Sequence, residues 1–197
     1  MKKIFTLLAL TISFSMNAQM SDNSSGTSAT GTNAVAMGED STASGDYSTA
    51  MGKDSTASGS RSTAMGGGTT AMGYGSTAMG GGTTASNYYS TAMGAGTTAS
   101  GSRSTSMGDN TTASGHSSTS MGYYTTASDY ASVVIGQYNS SGSSATSAGS
   151  FSTSNTAFVI GNGTNSSNKS DAFKVMFNGD ATVSNDLTVS GDVVISS

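Results

Sequence analysis

A fourteen-residue repeat runs through more than half of the chain and restricts the folds that the chain can adopt. Glycine recurs at almost every seventh position from Gly38 to Gly136, and every second glycine follows a methionine, or an isoleucine in the last repeat. A period of seven is typical of a coiled coil, but glycine in a helix interior costs about 1 kcal/mol each time. Glycine, asparagine and aspartate instead accept the positive φ of a sharp corner. The repeat therefore predicts strands and corners rather than helices.

Each repeat predicts one coil of a narrow parallel β-solenoid, an all-β fold. The segments "STAMG" at 48–52 and "STASG" at 55–59 would be two short strands joined by corners. Because side chains alternate along a strand, Ala50 and Ala57 point into the coil, where only small side chains fit. Met51 follows Ala50 directly, so its side chain points outward. We expect a flattened coil with an alanine interior and a different outer face on each strand.

The composition excludes several classes of function. Charged residues make up 9% of the chain and aromatic residues 7%, a composition that by itself also fits disorder, although a disordered linker needs no such regular pattern. The net charge is −4 and the basic residues form no stripe, so we expect no nucleic-acid partner. The chain has no cysteine and a single histidine, His116, which is more typical of a solvated corner residue than of a catalyst. We predict a non-enzyme without a metal or cofactor.

The N-terminus predicts export. Lys2 and Lys3 precede an apolar run at 4–14, and a small residue follows at Ala18. This order is typical of a secretory signal peptide, and we expect cleavage near Ala18 or Gln19. The apolar run is too short to span a bilayer, so a retained anchor is less favoured. We predict a protein with no membrane span after signal removal, located at the cell surface or outer membrane, or secreted.

Methionine recurs on one outer face of the predicted solenoid. A long exposed apolar row usually marks an interface, and solenoids can bury such a row against copies of themselves in closed cyclic symmetry. Filling of a monomer core is the alternative use of these methionines. The predicted interface residues of a homotrimer are Val35, Met37, Met51, Met65, Met79, Met93, Met107, Met121, Val133 and Ile135.

The stretch "ATGTNAVAMGEDSTASG" at 29–45 strongly resembles the YadA-like head of trimeric autotransporter adhesins. The resemblance extends from Thr32 to about Tyr138 and recurs in eight coils. It implies a left-handed parallel β-roll in which three chains pack through the face that carries Met51. In some family heads an Asn-Ser-Val-Ala-Ile-Gly motif contributes to collagen binding, and "NAVAMG" at 33–38 approximates it here.

The repeat ends before the C-terminal quarter of the chain. The pair Asn178-Gly179 lies between two alternating segments and predicts a β-hairpin, and a strand pattern continues through Leu187 and Val189. This part resembles necks that precede an intramolecular chaperone in bacterial surface proteins and phage tail fibres, so we expect a piece of a longer trimeric protein. The predicted segments are a signal peptide at 1–19, an N-terminal linker at 20–32, head repeats at 33–138, a Ser/Gly-rich connector at 139–155 and a β-rich neck at 156–197.

The leading functional hypothesis is an adhesin head whose partners are two further copies of the chain and an extracellular protein, glycan or surface. Tyrosine and arginine side chains at the corners either recognise a ligand or shield the coils. An ice-binding protein that uses ordered Thr and Ser columns is the alternative from another class, and a structural spacer is a third. The predicted ligand-facing residues are Asn33, Thr56, Ser58, Thr98, Ser100, Tyr88, Tyr89, Tyr123 and Tyr124.

Overall fold

The computed structural model describes residues 20–21, 25–190 and 192, and every regular element in that part of the chain is a β-strand. The predicted signal peptide at 1–19 lies outside the described residues. Among the residues that are described, no helix has the length and apolarity needed to cross a membrane.

The strands form two sheets, and each coil contributes one strand to each sheet. Sheet A has twelve strands, of which the first ten run parallel and the last two pair antiparallel. Sheet B has eight strands, all parallel. The strands of sheet A are β1 (Met20–Ser21), β3 (Val35–Met37), β5 (Thr49–Lys53), β7 (Thr63–Gly67), β9 (Thr77–Gly81), β11 (Thr91–Ala95), β13 (Thr105–Asp109), β15 (Thr119–Tyr123), β17 (Val133–Gln137), β18 (Thr156–Asn162), β19 (Asp171–Met176) and β20 (Ala181–Val183). The strands of sheet B are β2 (Ser28–Ala29), β4 (Thr42–Ala43), β6 (Thr56–Ala57), β8 (Thr70–Ala71), β10 (Thr84–Ala85), β12 (Thr98–Ala99), β14 (Thr112–Ala113) and β16 (Thr126–Ala127).

The register between neighbouring coils equals the sequence period. In sheet A, Met79 pairs with Met93, and in sheet B, Thr84 pairs with Thr98. Each residue therefore lies beside its counterpart fourteen positions along the chain, at the usual strand spacing of about 4.8 Å. This arrangement confirms the predicted parallel β-roll.

The interior contains alanine together with a set of hydroxyl side chains that we did not predict. Ala50 and Ala57 are fully buried, and Ser48 and Ser55 are buried with them. The period-two alternation accounts for this, because each serine lies two positions before an inward alanine. Where serine replaces the alanine, at Ser106, its Oγ lies 2.7 Å from the Oγ1 of buried Thr111.

One glycine column is required by the packing of successive coils. Gly80 has a φ of 118°, and a Cβ at this position would lie 2.0 Å from the carbonyl oxygen of Gly94. The neighbouring Gly81 has open space around it. Successive coils therefore approach so closely at the glycine after each methionine that no side chain fits there. Gly81 is not subject to this constraint.

The C-terminal part of sheet A changes from parallel to antiparallel pairing. Strand β18 continues the parallel stack beside β17, and β19 and β20 then form the predicted hairpin around Gly179, whose φ is 94°. The strand pattern predicted beyond the hairpin is wrong for residues 184–190, which form no strand. Leu187 is 71% exposed there, because this segment has no neighbouring strand or core to cover it.

Two segments predicted as irregular contribute to the roll. Strands β1 and β2 lie within 20–32 and pair with β3 and β4, so the two sheets begin before the predicted head.

Residues 139–155 contain no strand, but Asp129 binds this connector to the last coil. Its carboxylate accepts hydrogen bonds from the backbone N–H groups of Thr146 at 2.6 Å, Ser147 at 3.3 Å and Thr156 at 2.8 Å.

Candidate functional site

The roll presents two flat faces and two edges formed by its corners. We call the outer side of sheet A the methionine face and the outer side of sheet B the hydroxyl face. The acidic edge contains the corners that follow the strands of sheet A, at 39–40, 53–54, 67–68, 81–82, 95–96, 109–110, 123–124 and 137–138. The tyrosine edge contains the corners that precede those strands, at 32–33, 46–47, 60–61, 74–75, 88–89, 102–103, 116–117 and 130–131.

The methionine face contains the predicted interface residues in one register. Methionines 51, 65, 79, 93, 107 and 121 are half-buried by their neighbours in the same row, and Ile135 continues the row. Met37 at the N-terminal end of the row is more exposed than these. Val35 and Val133 lie in the adjacent outward column, which is occupied by threonine in the other coils. The face is a continuous apolar strip along the roll.

The hydroxyl face carries the columns considered for ice binding. Thr56, Ser58, Thr98 and Ser100 lie on it, partly or fully exposed. Met72 interrupts the serine column, as the sequence indicates. At the C-terminal end the connector covers the column, because the backbone N–H of Ser128 donates to Gly142 and its hydroxyl group donates to Ser143. These interruptions shorten the flat array of hydroxyl groups that an ice-binding surface needs, and no feature of the roll favours that alternative.

Aromatic rings and a guanidinium group form a continuous cluster on the tyrosine edge. The guanidinium carbon of Arg61 lies 5.7 Å from the ring centroid of Tyr47 and 5.1 Å from that of Tyr74, within the range of a cation–π interaction. Tyr74 stacks on Tyr88 at a centroid distance of 6.1 Å and meets Tyr89 edge-on at 5.5 Å. Four successive coils therefore share one line of side-chain contacts.

A second cluster continues the tyrosine edge towards the C-terminus. A guanidinium nitrogen of Arg103 lies 3.3 Å from the Nε2 atom of His116, and the His116 ring stacks on Tyr130 at 5.2 Å. The histidine therefore belongs to the edge, where its side-chain contacts are with Arg103, Ser117 and Tyr130. Asn33 lies on the same edge, one coil before Tyr47, with its side chain exposed.

The acidic edge has a different chemistry. Lys53 forms an ion pair with Glu39 at 3.2 Å, and the hydrogen bond that Lys53 donates to this carboxylate raises the pKa of Lys53 above its usual range. At the other end the rings of Tyr123 and Tyr124 contact Tyr138 at centroid distances of 5.4 and 5.0 Å. Partial burial raises the pKa of the Tyr138 phenol, and hydrogen bonding to Tyr123 raises it further.

The predicted ligand-facing residues therefore lie on three separate surfaces. Tyr88 and Tyr89 belong to the tyrosine edge with Asn33, whereas Tyr123 and Tyr124 lie on the acidic edge. The hydroxyl-face residues form a third set. The contacts between Arg61, Arg103 and His116 and their neighbouring rings were not predicted, although the fourteen-residue spacing of the corners would have indicated them.

These features define the class of the molecule as a repeat β-roll whose two faces carry rows of like side chains. The described residues contain no group of three or more His, Cys, Asp and Glu side chains that could hold a metal ion. The family model for the YadA head domain repeat matches the chain in seven overlapping segments from 29–55 to 113–139, each beginning fourteen residues after the previous one. The chain therefore belongs to the YadA head repeat family. This is a family of non-enzymatic, adhesin-like repeats found in exported surface proteins. Comparison with curated proteins gives no significant match.

Proposed function

We propose that this chain is exported and forms the head of a homotrimeric adhesin that attaches its bearer to a host, matrix or other surface. The observation that carries the proposal is the methionine face, in which half-buried Met79 and Met93 are two of a row of apolar side chains in register. Such a row gives each chain a straight apolar strip that is the same in every copy.

Burial of this strip supplies stabilisation that the interior does not. The interior consists mainly of alanine, serine and threonine side chains, which are small. Full burial of an exposed methionine side chain stabilises by about 1.5–3 kcal/mol, and these half-buried methionines would each gain a part of that value along the roll. A self-complementary strip favours closed cyclic assembly, and the heads of this family form trimers. Folding and assembly of this chain would then depend on each other.

Attachment by such a head depends on repetition. No single surface of the described roll forms a deep cleft, so each contact with a ligand would be shallow. Three copies of each edge on one rigid rod let weak contacts act together, and linked binding can exceed single-site affinity by about 10²–10⁴-fold. The trimer is therefore part of the proposed function and of the fold.

Bead retention under flow tests this proposal. Beads coated with the wild-type protein should remain on cell monolayers or on polysaccharide-coated glass, and beads coated with the Met79→Glu/Met93→Glu variant should be lost at least about 10²-fold more readily. Thr70→Glu/Thr84→Glu, which adds the same charges to two neighbouring coils of the hydroxyl face, serves as the matched control and should be retained. Failure of the wild-type beads to remain on any of these surfaces contradicts an attachment role and favours a structural spacer.

A further inference from the structure

The tyrosine edge holds large side chains at backbone positions that disfavour them. Tyr47, Arg61, Tyr89 and Arg103 have φ values of 59°, 59°, 52° and 58°. Glycine, asparagine and aspartate adopt this left-handed conformation most readily, and other residues there cost of order 1–3 kcal/mol. The corner therefore does not account for the presence of tyrosine and arginine.

The acidic edge is the internal comparison. In the first six coils its equivalent left-handed positions hold only residues that the backbone prefers, which are Asp40, Asp54, Gly68, Gly82, Gly96 and Asn110, and tyrosine occurs there only in the last two coils, at Tyr124 and Tyr138. Both edges have the same coil geometry and the same period, so we take their difference over these six coils to reflect a difference in use. Strained backbone concentrates at functional sites, where another interaction maintains the residue.

Charge also separates the two edges. Arg61 and Arg103 form no ion pair within the described residues, whereas Lys53 on the acidic edge is neutralised by Glu39. The tyrosine edge also carries the carboxylate of Asp46, whose Oδ1 accepts the backbone N–H of Thr32 at 2.9 Å. Within the described part of the chain this carboxylate forms no ion pair with either arginine, so both guanidinium charges are available to an anionic ligand.

From these observations we propose that the tyrosine edge is a binding site for a linear acidic polysaccharide, a chain of sugars that carry sulfate or carboxylate groups. Arg61 and Arg103 are three coils apart, about 14 Å along a straight edge, and would bind successive anionic groups. Tyr47, Tyr88 and Tyr89 are 55%, 60% and 54% exposed, and their free hydroxyl groups can donate to and accept from sugar hydroxyls. This inference specifies the ligand class for the proposed attachment role and rests on that role.

An extended ligand fits the edge better than a compact one. Corresponding corners recur at intervals of about 4.8 Å along one line, so a linear polymer can follow the edge and meet Arg61, the exposed tyrosines and Arg103 in turn. The rings of Tyr47 and Tyr74 flank the Arg61 guanidinium group and hold it in place. The Arg103 guanidinium group lies beside the His116 ring. Carboxylates on the acidic edge lie only in its first two corners and at Asp109, and the cation of this edge, Lys53, pairs with Glu39. The same polymer would be repelled there and would favour the tyrosine edge.

Binding to immobilised polysaccharides tests the proposal. The purified protein is passed over dextran sulfate, polygalacturonate and neutral dextran, and binding to one or both of the acidic polymers, but not to dextran, is expected, with a strong dependence on salt. In the Arg61→Asn/Arg103→Asn variant binding should weaken at least about tenfold, because each lost charge-assisted hydrogen bond is worth about 1.5–3 kcal/mol. Asparagine suits the positive φ, so the variant should unfold at the wild-type temperature or above it. Lys53→Gln, which removes a cation from the acidic edge, should bind like the wild type.

Three results would overturn the proposal: no binding of the wild-type protein to either acidic polymer, equal loss in Lys53→Gln, or equally tight binding to single-stranded DNA. The sulfate and carboxylate arms show which anionic group is preferred. Light scattering on the same samples separates this inference from the proposed function. A trimer that binds neither polymer but retains beads on cells contradicts the polysaccharide alone, whereas a monomer that binds them contradicts the trimeric adhesin.

Discussion

The side-chain amide of Asn139 pairs with the backbone of Thr126 in the way that a further strand would. Its Oδ1 accepts the N–H of Thr126 at 2.8 Å, and its Nδ2 donates to the Thr126 carbonyl at 2.9 Å. Strand β16 is the last strand of sheet B, so one side chain satisfies its outer edge. An unpaired edge would promote pairing with another chain.

Replacement of Asn139 should destabilise the C-terminal end of the roll. In Asn139→Ala the buried N–H and carbonyl of Thr126 lose their partners, and the free energy of unfolding should fall by about 1–3 kcal/mol. Urea denaturation followed by circular dichroism measures this change. Asn185→Ala, at an exposed position on the segment that follows β20, is the control and should leave the midpoint unchanged.

Two adjacent glycines should respond differently to the same substitution. Gly80→Ala introduces a Cβ 2.0 Å from the Gly94 oxygen at a φ of 118°, and should lower the free energy of unfolding by about 3 kcal/mol or more. Gly81→Ala meets open space and should change it by less than about 0.5 kcal/mol. Equal urea midpoints for the two variants would contradict the tight stacking of coils.

The carboxylate of Asp129 should determine the order of the connector. In Asp129→Asn one acceptor oxygen becomes an NH₂ group, so the side chain can still accept either from Thr156 or from Thr146 and Ser147, but not from both sides. Amide hydrogen exchange should accelerate by at least about tenfold on the side that faces the NH₂ group, as expected for the loss of a charge-assisted hydrogen bond. Exchange in sheet A near Met79 should stay as in the wild type. Asp186→Asn, on an exposed segment, is the control.

Tyr138 should make the roll sensitive to high pH. Partial burial raises the pKa of Tyr138 in the folded state. The folded chain therefore holds the phenolic proton more tightly than the unfolded chain does. That stabilisation is complete below the ordinary tyrosine pKa of about 10 and is lost as the pH rises through the raised value. Melting temperatures of the wild type and Tyr138→Phe from pH 8 to 12 should show the steeper decline in the wild type. Parallel curves would contradict this account.

The fourteen-residue period made most of the roll predictable. Because strand side chains alternate, the period placed Ala50 and Ala57 inside and Met51 outside, and the register followed from the identity of successive coils. The hairpin at Gly179 was predictable from local turn chemistry. These features depend on neighbours in the sequence or on exact repetition.

The features that were not predicted depend on contacts outside the repeat. Position 129 holds aspartate where most equivalent positions of the repeat hold glycine. The Asp129 carboxylate binds the connector, which is not part of the repeat. Asn139 follows the last repeat, and its role appears only when β16 is known to be an edge. The apolar pattern at Leu187 predicted a strand that the described residues do not form, because a strand also needs a neighbour to pair with.

The mass of the purified protein in solution, measured by size-exclusion chromatography with light scattering, tests the central claim most directly. A trimer that buries the methionine face should have three times the mass of one chain at every concentration from micromolar upward. The Met79→Glu/Met93→Glu variant should elute as a single chain or unfold, and Thr70→Glu/Thr84→Glu should remain trimeric. A folded wild-type monomer would contradict the account.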